Sequence, residues 1–158
     1  MTERTDKPDI LVYPPLASVV APLVAVALEW LAPLSLLPAP FAFWSVAIGL
    51  ALVCASGALA MSGTRAFQAA GTNVDPKSPA LTLVETGPYR FTRNPMYLGM
   101  VLLQLGLAAL FSLDWALVLA PVLWAVLHYG VVLREETYLS AKFGAPYDAF
   151  LERTRRWL

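Results

Sequence analysis

Charge is absent from four long stretches of this chain. No Asp, Glu, Lys or Arg occurs in 10–28, 30–64, 94–113 or 115–133, runs of 19, 35, 20 and 19 residues. A helix needs about 20 apolar residues to cross the hydrocarbon core of a bilayer. Pro33, Pro38 and Pro40 break the longest run, so it holds the end of one span, a turn and a second span. The pattern predicts four transmembrane helices, over about 16–32, 41–62, 95–113 and 115–133. A soluble all-α bundle with very apolar helices is the alternative. Its helices would carry a polar face, and these runs have none.

The boundaries follow from turn chemistry. Pro14 and Pro15 sit where a helix can begin without losing a hydrogen bond. Phe41, Phe43 and Trp44 suit an interfacial aromatic belt. The second helix is expected to run on past Arg65 and Phe67, since nothing breaks it before Gly71. Asn94 is placed to cap the third span, with Pro95 in its first turn. Ser112 to Trp115 make a tight turn, so the third and fourth spans form an antiparallel hairpin.

Between the second and third spans lies the one long polar connector, 71–95, with three prolines before Pro95 and two glycines. Such a length in a compact protein is usually functional or disordered. The segment 134–158 is amphipathic. Pro146 can start a helix, and Tyr147, Phe150, Leu151, Trp157 and Leu158 recur at helical spacing. Arg153, Arg155 and Arg156 supply a basic complement. That helix is expected either to lie on the membrane surface or to pack on its own protein.

Composition agrees with a membrane chain. Hydrophobic residues make up 58% and charged residues 14%, against about 25% charged in soluble domains. Eleven Lys and Arg balance eleven Asp and Glu, so no net charge attracts nucleic acid. With one cysteine, Cys54, and one histidine, His128, neither an internal disulfide nor a multi-histidine metal site is expected. No basic segment leads into a short apolar stretch and a cleavage site, so a signal peptide is not expected.

All eleven basic residues fall in 1–15, 63–94 and 134–158, while the other two loops hold only Asp114. The positive-inside rule then puts both termini and the 71–95 connector in the cytoplasm. The expected fold is an all-α integral membrane bundle of four spans, with a cytoplasmic loop and an amphipathic C-terminal helix. The 158 residues read as a single membrane domain without internal repeats.

Polar side chains concentrate on that cytoplasmic side. The hairpin must bring the connector close to Arg134, Glu135 and Glu136. Two carboxylates facing a loop with Tyr89, Arg90, Arg93, Asn94 and Tyr97 can hold a polar ligand, or can be headgroup-level charges paired with Arg90 or Arg93. Glu29 lies within reach of the outer interface, as an expensive intramembrane carboxylate should. Gln104, between Gly99 and Gly106, suits a close helix crossing. His128 is structural or catalytic. No glycine-rich phosphate loop and no zinc-protease motif occurs.

Leu83 to Gly99, LVETGPYRFTRNPMYLG, resembles the LVxxGxYxxxRHPxYxG signature of the isoprenylcysteine carboxyl methyltransferase family, whose broad group includes phospholipid N-methyltransferases. Glu135-Glu136, then Phe143-Gly144 and Tyr147, resemble the family's EExxLxxxFGxxYxxY block. Together these cover about 60–158. The resemblance implies S-adenosylmethionine as cofactor. By position it implicates Leu81, Thr82, Leu83, Val84, Tyr89, Asn94, Pro95, Met96, Tyr97 and Glu135 in binding it. Catalytic candidates are Glu135, Glu136 and His128. Asn94 replaces the usual histidine. Val131 stands where eukaryotic prenylcysteine enzymes place an arginine for the substrate carboxylate, so that substrate is not implied.

The implied reaction is methyl transfer to an apolar or lipid-like acceptor at the cytoplasmic boundary of a bacterial-type inner membrane. Two alternatives stand beside it. One is an NADPH-dependent reductase related to sterol reductases, for which Arg90 and Arg93 are the available phosphate partners. The other is a non-catalytic membrane accessory protein.

Overall fold

The computed structural model describes residues 6–38 and 42–158. Glu3 and Arg4, and the expected start of the second span at Phe41 after Pro40, lie outside the described residues. Four long apolar helices form the body: α1 (Pro14–Leu31), α2 (Phe43–Ala69), α3 (Pro95–Phe111) and α4 (Asp114–Leu127). A π-helical turn, His128–Val132, joins α4 without interruption to α5 (Leu133–Phe143), and α6 (Ala145–Arg153) follows. No strand occurs among the described residues, so the fold is an all-α integral membrane bundle.

Pro14–Leu31, Phe43–Ala69 and the continuous Asp114–Phe143 are long enough to cross a bilayer, with mean hydropathies of 1.6, 2.0 and 2.1. At 17 residues, α3 spans only about 26 Å at 1.5 Å per residue. It is shorter than α1 and α2 and, unlike α4, is not prolonged by a following helix. It packs along α2 on one side and against α1 and α4 on the other, while α1 also packs on α4. Lipid-facing side chains such as Leu23, Val24, Trp30, Trp44 and Ile48 stay exposed on the outer helices.

Small residues set the close α2–α3 approach. A Cβ on Gly106 would lie 3.1 Å from the Gly49 carbonyl oxygen and 2.8 Å from a Val53 methyl. Gln104 is the buried polar group at this level. Its Nε2 donates to the Ala116 carbonyl at 3.3 Å, joining α3 to α4 as a polar bridge between helices.

The end of the bundle at the α3–α4 turn is tied by carboxylates. Ser112 closes α3 in the left-handed conformation, φ 52°. Asp114, 3% exposed, accepts from the backbone N–H of Leu36 at 3.0 Å and of Leu37 at 2.8 Å. Glu29 is not left free at this end. Its Oε2 accepts from the Trp115 N–H at 3.2 Å, where the α4 dipole favours a negative charge.

At the opposite, polar end, α2 runs through Arg65 and Phe67 as expected, and Gly71 turns the chain with φ +67°. The tail departs from a single amphipathic helix. Helix α6 ends at Arg153 and Thr154 is extended, so Trp157 and Leu158 do not share the face of Tyr147 and Phe150. That face does not lie on a membrane. Tyr147 and Phe150 are buried in a cluster with Ala66, Val84 and Tyr89.

Candidate active site

A cleft opens at the polar end, with about 860 Å³ of space between its walls, mouth included. Its walls come from the end of α2 (Phe67), the 73–84 loop, the start of α3 (Asn94, Met96, Tyr97), α5 (Glu135, Glu136, Leu139) and α6 (Tyr147, Phe150), with Pro8 reaching in from the N-terminal segment.

The loop holds its shape through its own polar groups. Thr72 Oγ1 accepts from the Leu81 N–H at 2.8 Å, and Asn73 Nδ2 donates to the Pro79 carbonyl at 2.9 Å. Asp75 Oδ1 accepts from the Lys77 N–H at 2.9 Å, closing a turn inside that lobe. The chain then makes a 3-10 turn at Gly87–Arg90, where Gly87 has φ +61°. That turn aims Tyr89 inward onto Phe67, with ring centroids 5.3 Å apart. Burial, with the Glu135 charge nearby, pushes the Tyr89 hydroxyl well above its ordinary pKa and keeps it neutral.

The two adjacent glutamates have different surroundings. Glu135 lines the cleft, and its Oε1 accepts from the Tyr97 hydroxyl at 2.7 Å. Glu136 is held by cations. Arg93 Nη2 lies 2.9 Å from one of its oxygens, and Arg156 donates to it from Nε at 3.0 Å and from Nη2 at 2.8 Å. Arg93 also donates from Nη1 to the carbonyls of Leu151 and Thr154, at 2.9 and 3.0 Å.

The tail is thereby clasped to the start of α3. Thr92 and Arg155 form a β-bridge, and the Arg93 N–H donates to the Arg155 carbonyl at 2.9 Å. Asn94 occupies the N-cap of α3, but its side chain makes no capping hydrogen bond. Its Nδ2 donates instead to the Arg156 carbonyl at 2.9 Å.

Eight of the residues expected to bind a cofactor line the cleft together: Thr82, Leu83, Val84, Tyr89, Asn94, Met96, Tyr97 and Glu135. Two do not. Leu81 is 62% exposed outside it, and Pro95 is buried in the first turn of α3. His128 also lies outside the cleft. Its ring stacks on Trp124 at 5.0 Å, and its Nδ1 accepts from the Trp157 indole N–H at 3.2 Å. The structure adds Pro8, Phe67, Leu139 and Phe150 to the walls. The apolar spacing of Phe150 was a usable signal for it, whereas Pro8 carried none.

The Gly-Pro-Tyr turn, the Asn-Pro-Met-Tyr helix start and the Glu pair thus meet around one cleft. A phospholipid methyltransferase family model matches residues 44–146, which include most of those walls. The chain belongs to the phospholipid methyltransferase family. This makes it a member of a membrane methyltransferase family, in keeping with its apolar helices. An uncharacterized protein of Haemophilus influenzae is 38% identical over 65 residues, which is 40% of this chain and 100% of that protein. No solved structure matches the chain significantly.

Proposed function

We propose that the protein is an S-adenosylmethionine-dependent methyltransferase acting on an apolar or lipid-like acceptor at the cytoplasmic boundary of a bacterial-type inner membrane. The observation that carries the reading is the unequal use of the Glu pair. Glu136 is neutralised by Arg93 and Arg156, while Glu135 is committed only to the Tyr97 hydroxyl and faces the cleft.

The donor set fits the cofactor. An ionised carboxylate accepts well from ribose hydroxyls or an ammonium group, by charge-assisted hydrogen bonds. Phe67, Leu83, Val84, Met96, Leu139 and Phe150 offer apolar and aromatic surface for an adenine and a sulfonium. Bound there, S-adenosylmethionine supplies an electrophilic methyl group. Glu135 anchors the polar part of the donor, and Tyr97 fixes the carboxylate that does so. The aromatic walls exclude water and narrow the approach, which is the positioning that methyl transfer requires. Among the catalytic candidates, Glu136 is occupied by its ion pairs and His128 lies outside the cleft, which leaves Glu135.

Orientation follows from charge. The cleft shares its end of the bundle with Arg93, Arg134, Lys142 and Arg156, and the positive-inside rule assigns that end to the cytoplasm. All 158 residues then serve one membrane domain, with both termini on that side. The reductase alternative fares less well. Arg90 is exposed and does not line the cleft, and Arg93 is consumed by Glu136 and two tail carbonyls.

Calorimetry of the purified protein with S-adenosylhomocysteine and with NADPH tests the reading. Binding of the first and not the second is expected. The reverse result would establish the reductase alternative, and binding of neither the accessory one.

A further inference from the structure

The cleft has one firm wall and one loosely held wall. On the firm side the tail is clasped by Thr92, Arg93 and Asn94, and the Arg93–Glu136 pair is nearly out of solvent, with side chains 9% and 12% exposed. On the other side residues 6–11 cross α5 as an extended strap. Pro8, within the strap, is buried and lines the cleft. Among the described residues one backbone–backbone hydrogen bond ties the strap to the body, from the Leu11 N–H to the Gly130 carbonyl of the π turn at 2.9 Å.

Ile10 rests on the apolar cluster around Leu127 and Val131, and Arg134 Nη1 donates to the Asp9 carbonyl at 3.0 Å. The side-chain charges that hold the outer edge are solvent-facing ion pairs. Lys142 Nζ lies 2.6 Å from Asp6 Oδ1, with side chains 23% and 61% exposed. Arg134 Nη1 lies 3.3 Å from Asp9 Oδ2, with 36% and 96% exposed. Such pairs hold weakly and are screened by salt. Tyr138 is the post between strap and loop. Its hydroxyl donates to Asp6 Oδ1 at 2.9 Å and accepts from the Ala80 N–H at 3.2 Å. The strap therefore touches the same α5 side chain that steadies the 73–84 loop.

We infer that residues 6–10 are a gate over the aqueous mouth of the cleft, latched by Asp6–Lys142 and Asp9–Arg134 and swinging on the Leu11–Gly130 hydrogen bond. Local opening is drawn from the more weakly held parts of a fold, and here Pro8 and Ile10 are the strap's inward anchors, against the several hydrogen bonds and the buried ion pair of the tail clasp. The Lys142 and Tyr138 hydrogen bonds also hold the Asp6 carboxyl below its usual pKa, so the latch is charged at neutral pH. A polar donor enters by this door, while the firm wall keeps its shape. That last point rests on the proposed function; the existence of the gate does not.

The test is cysteine reactivity inside the cleft. Leu139→Cys in a Cys54→Ala background places the only thiol on the cleft wall. With Asp6→Asn and Asp9→Asn together, labelling by a charged methanethiosulfonate reagent should quicken about two- to tenfold, the range expected for losing two exposed pairs. Reversing the first latch, Asp6→Lys with Lys142→Asp, should bring the rate back toward its starting value. Salt should quicken labelling of the parent and not of the Asn variant. Equal rates in parent and variants, at low and high salt, would overturn the gate. Where S-adenosylhomocysteine binds, the Asn variants should speed its association and dissociation by similar factors, leaving Kd nearly unchanged; a change in dissociation alone would make the strap a simple contact and overturn the gate. If the parent binds no S-adenosylhomocysteine, the methyltransferase reading fails, while the thiol rates still decide the gate.

Discussion

The Tyr97 hydroxyl lies 2.7 Å from Oε1 of Glu135, which ties the first turn of α3 to the first turn of α5. These residues are 38 positions apart, yet the hairpin of α3 and α4 returns the chain to the same depth. The contact fixes one carboxylate oxygen and the direction of the other. Next to it, Glu136 turns to Arg93 and Arg156 and serves the architecture.

Substitutions in this pair should therefore fail differently. Glu135→Ala is expected to weaken S-adenosylhomocysteine binding on the order of ten- to a hundredfold, the equivalent of about 1.5–3 kcal/mol for a charge-assisted hydrogen bond. Its stability should fall by about 1 kcal/mol, because the buried Tyr97 hydroxyl loses its acceptor. Glu136→Ala should lower stability by about 1.5–3 kcal/mol, because it strands Arg93 among carbonyls. Calorimetry and denaturation of both variants separate the roles. Equal affinity in Glu135→Ala and the parent would return that carboxylate to a surface role.

His128→Ala should leave cofactor affinity within about twofold of the parent. The imidazole stacks on Trp124 and accepts from Trp157, away from the cleft. What it should cost is the seating of the tail, by about 1 kcal/mol for one hydrogen bond. The readout is titration calorimetry beside a melting curve. A tenfold loss of affinity at unchanged stability would restore His128 as a site residue.

Topology is testable at Leu36, which is 62% exposed in the turn after α1. Leu36→Cys in a Cys54→Ala background should react with an impermeant thiol reagent from outside intact cells. Labelling only in inverted vesicles would invert the assignment of the cleft to the cytoplasm.

Methyl from labelled donor should appear in a lipid extract and not among water-soluble metabolites. The cleft lies where α2, α3 and α5 leave the apolar zone, so an acceptor's polar end can reach it while its chains stay among the helices. Label confined to soluble products would move the acceptor out of the bilayer. Label in neither extract would favour the accessory reading.

The four apolar helices were legible because uncharged length is a one-dimensional property, and their Pro and Gly boundaries are local chemistry. The neighbourhood of the loop and the Glu pair followed from the hairpin. The division of labour between Glu135 and Glu136 did not, since adjacent residues differ by a rotation of about 100° and only packing fixes which way each points. The π turn at His128–Val132 alters that rotation and leaves no mark in the apolar pattern. Tyr147 and Phe150 show the same spacing whether they meet lipid or protein. The strap was silent because its contacts join distant parts of the chain, as from Asp9 to Arg134, 125 positions apart.

The clasp of Thr92–Asn94 onto residues 154–156 also sets an order on biosynthesis. Residues 154–156 are joined to the chain only after all four apolar helices have been made. At about 5–20 residues per second, the interval between residues 94 and 156 is roughly 3–12 s. Through most of it Arg93 lacks the tail carbonyls, and from its own synthesis until that of Arg156 Glu136 lacks the second guanidinium that finishes the network. The four helices therefore exist as scaffold before the clasp can form, and the cleft gains its firm wall only once translation has passed residue 156.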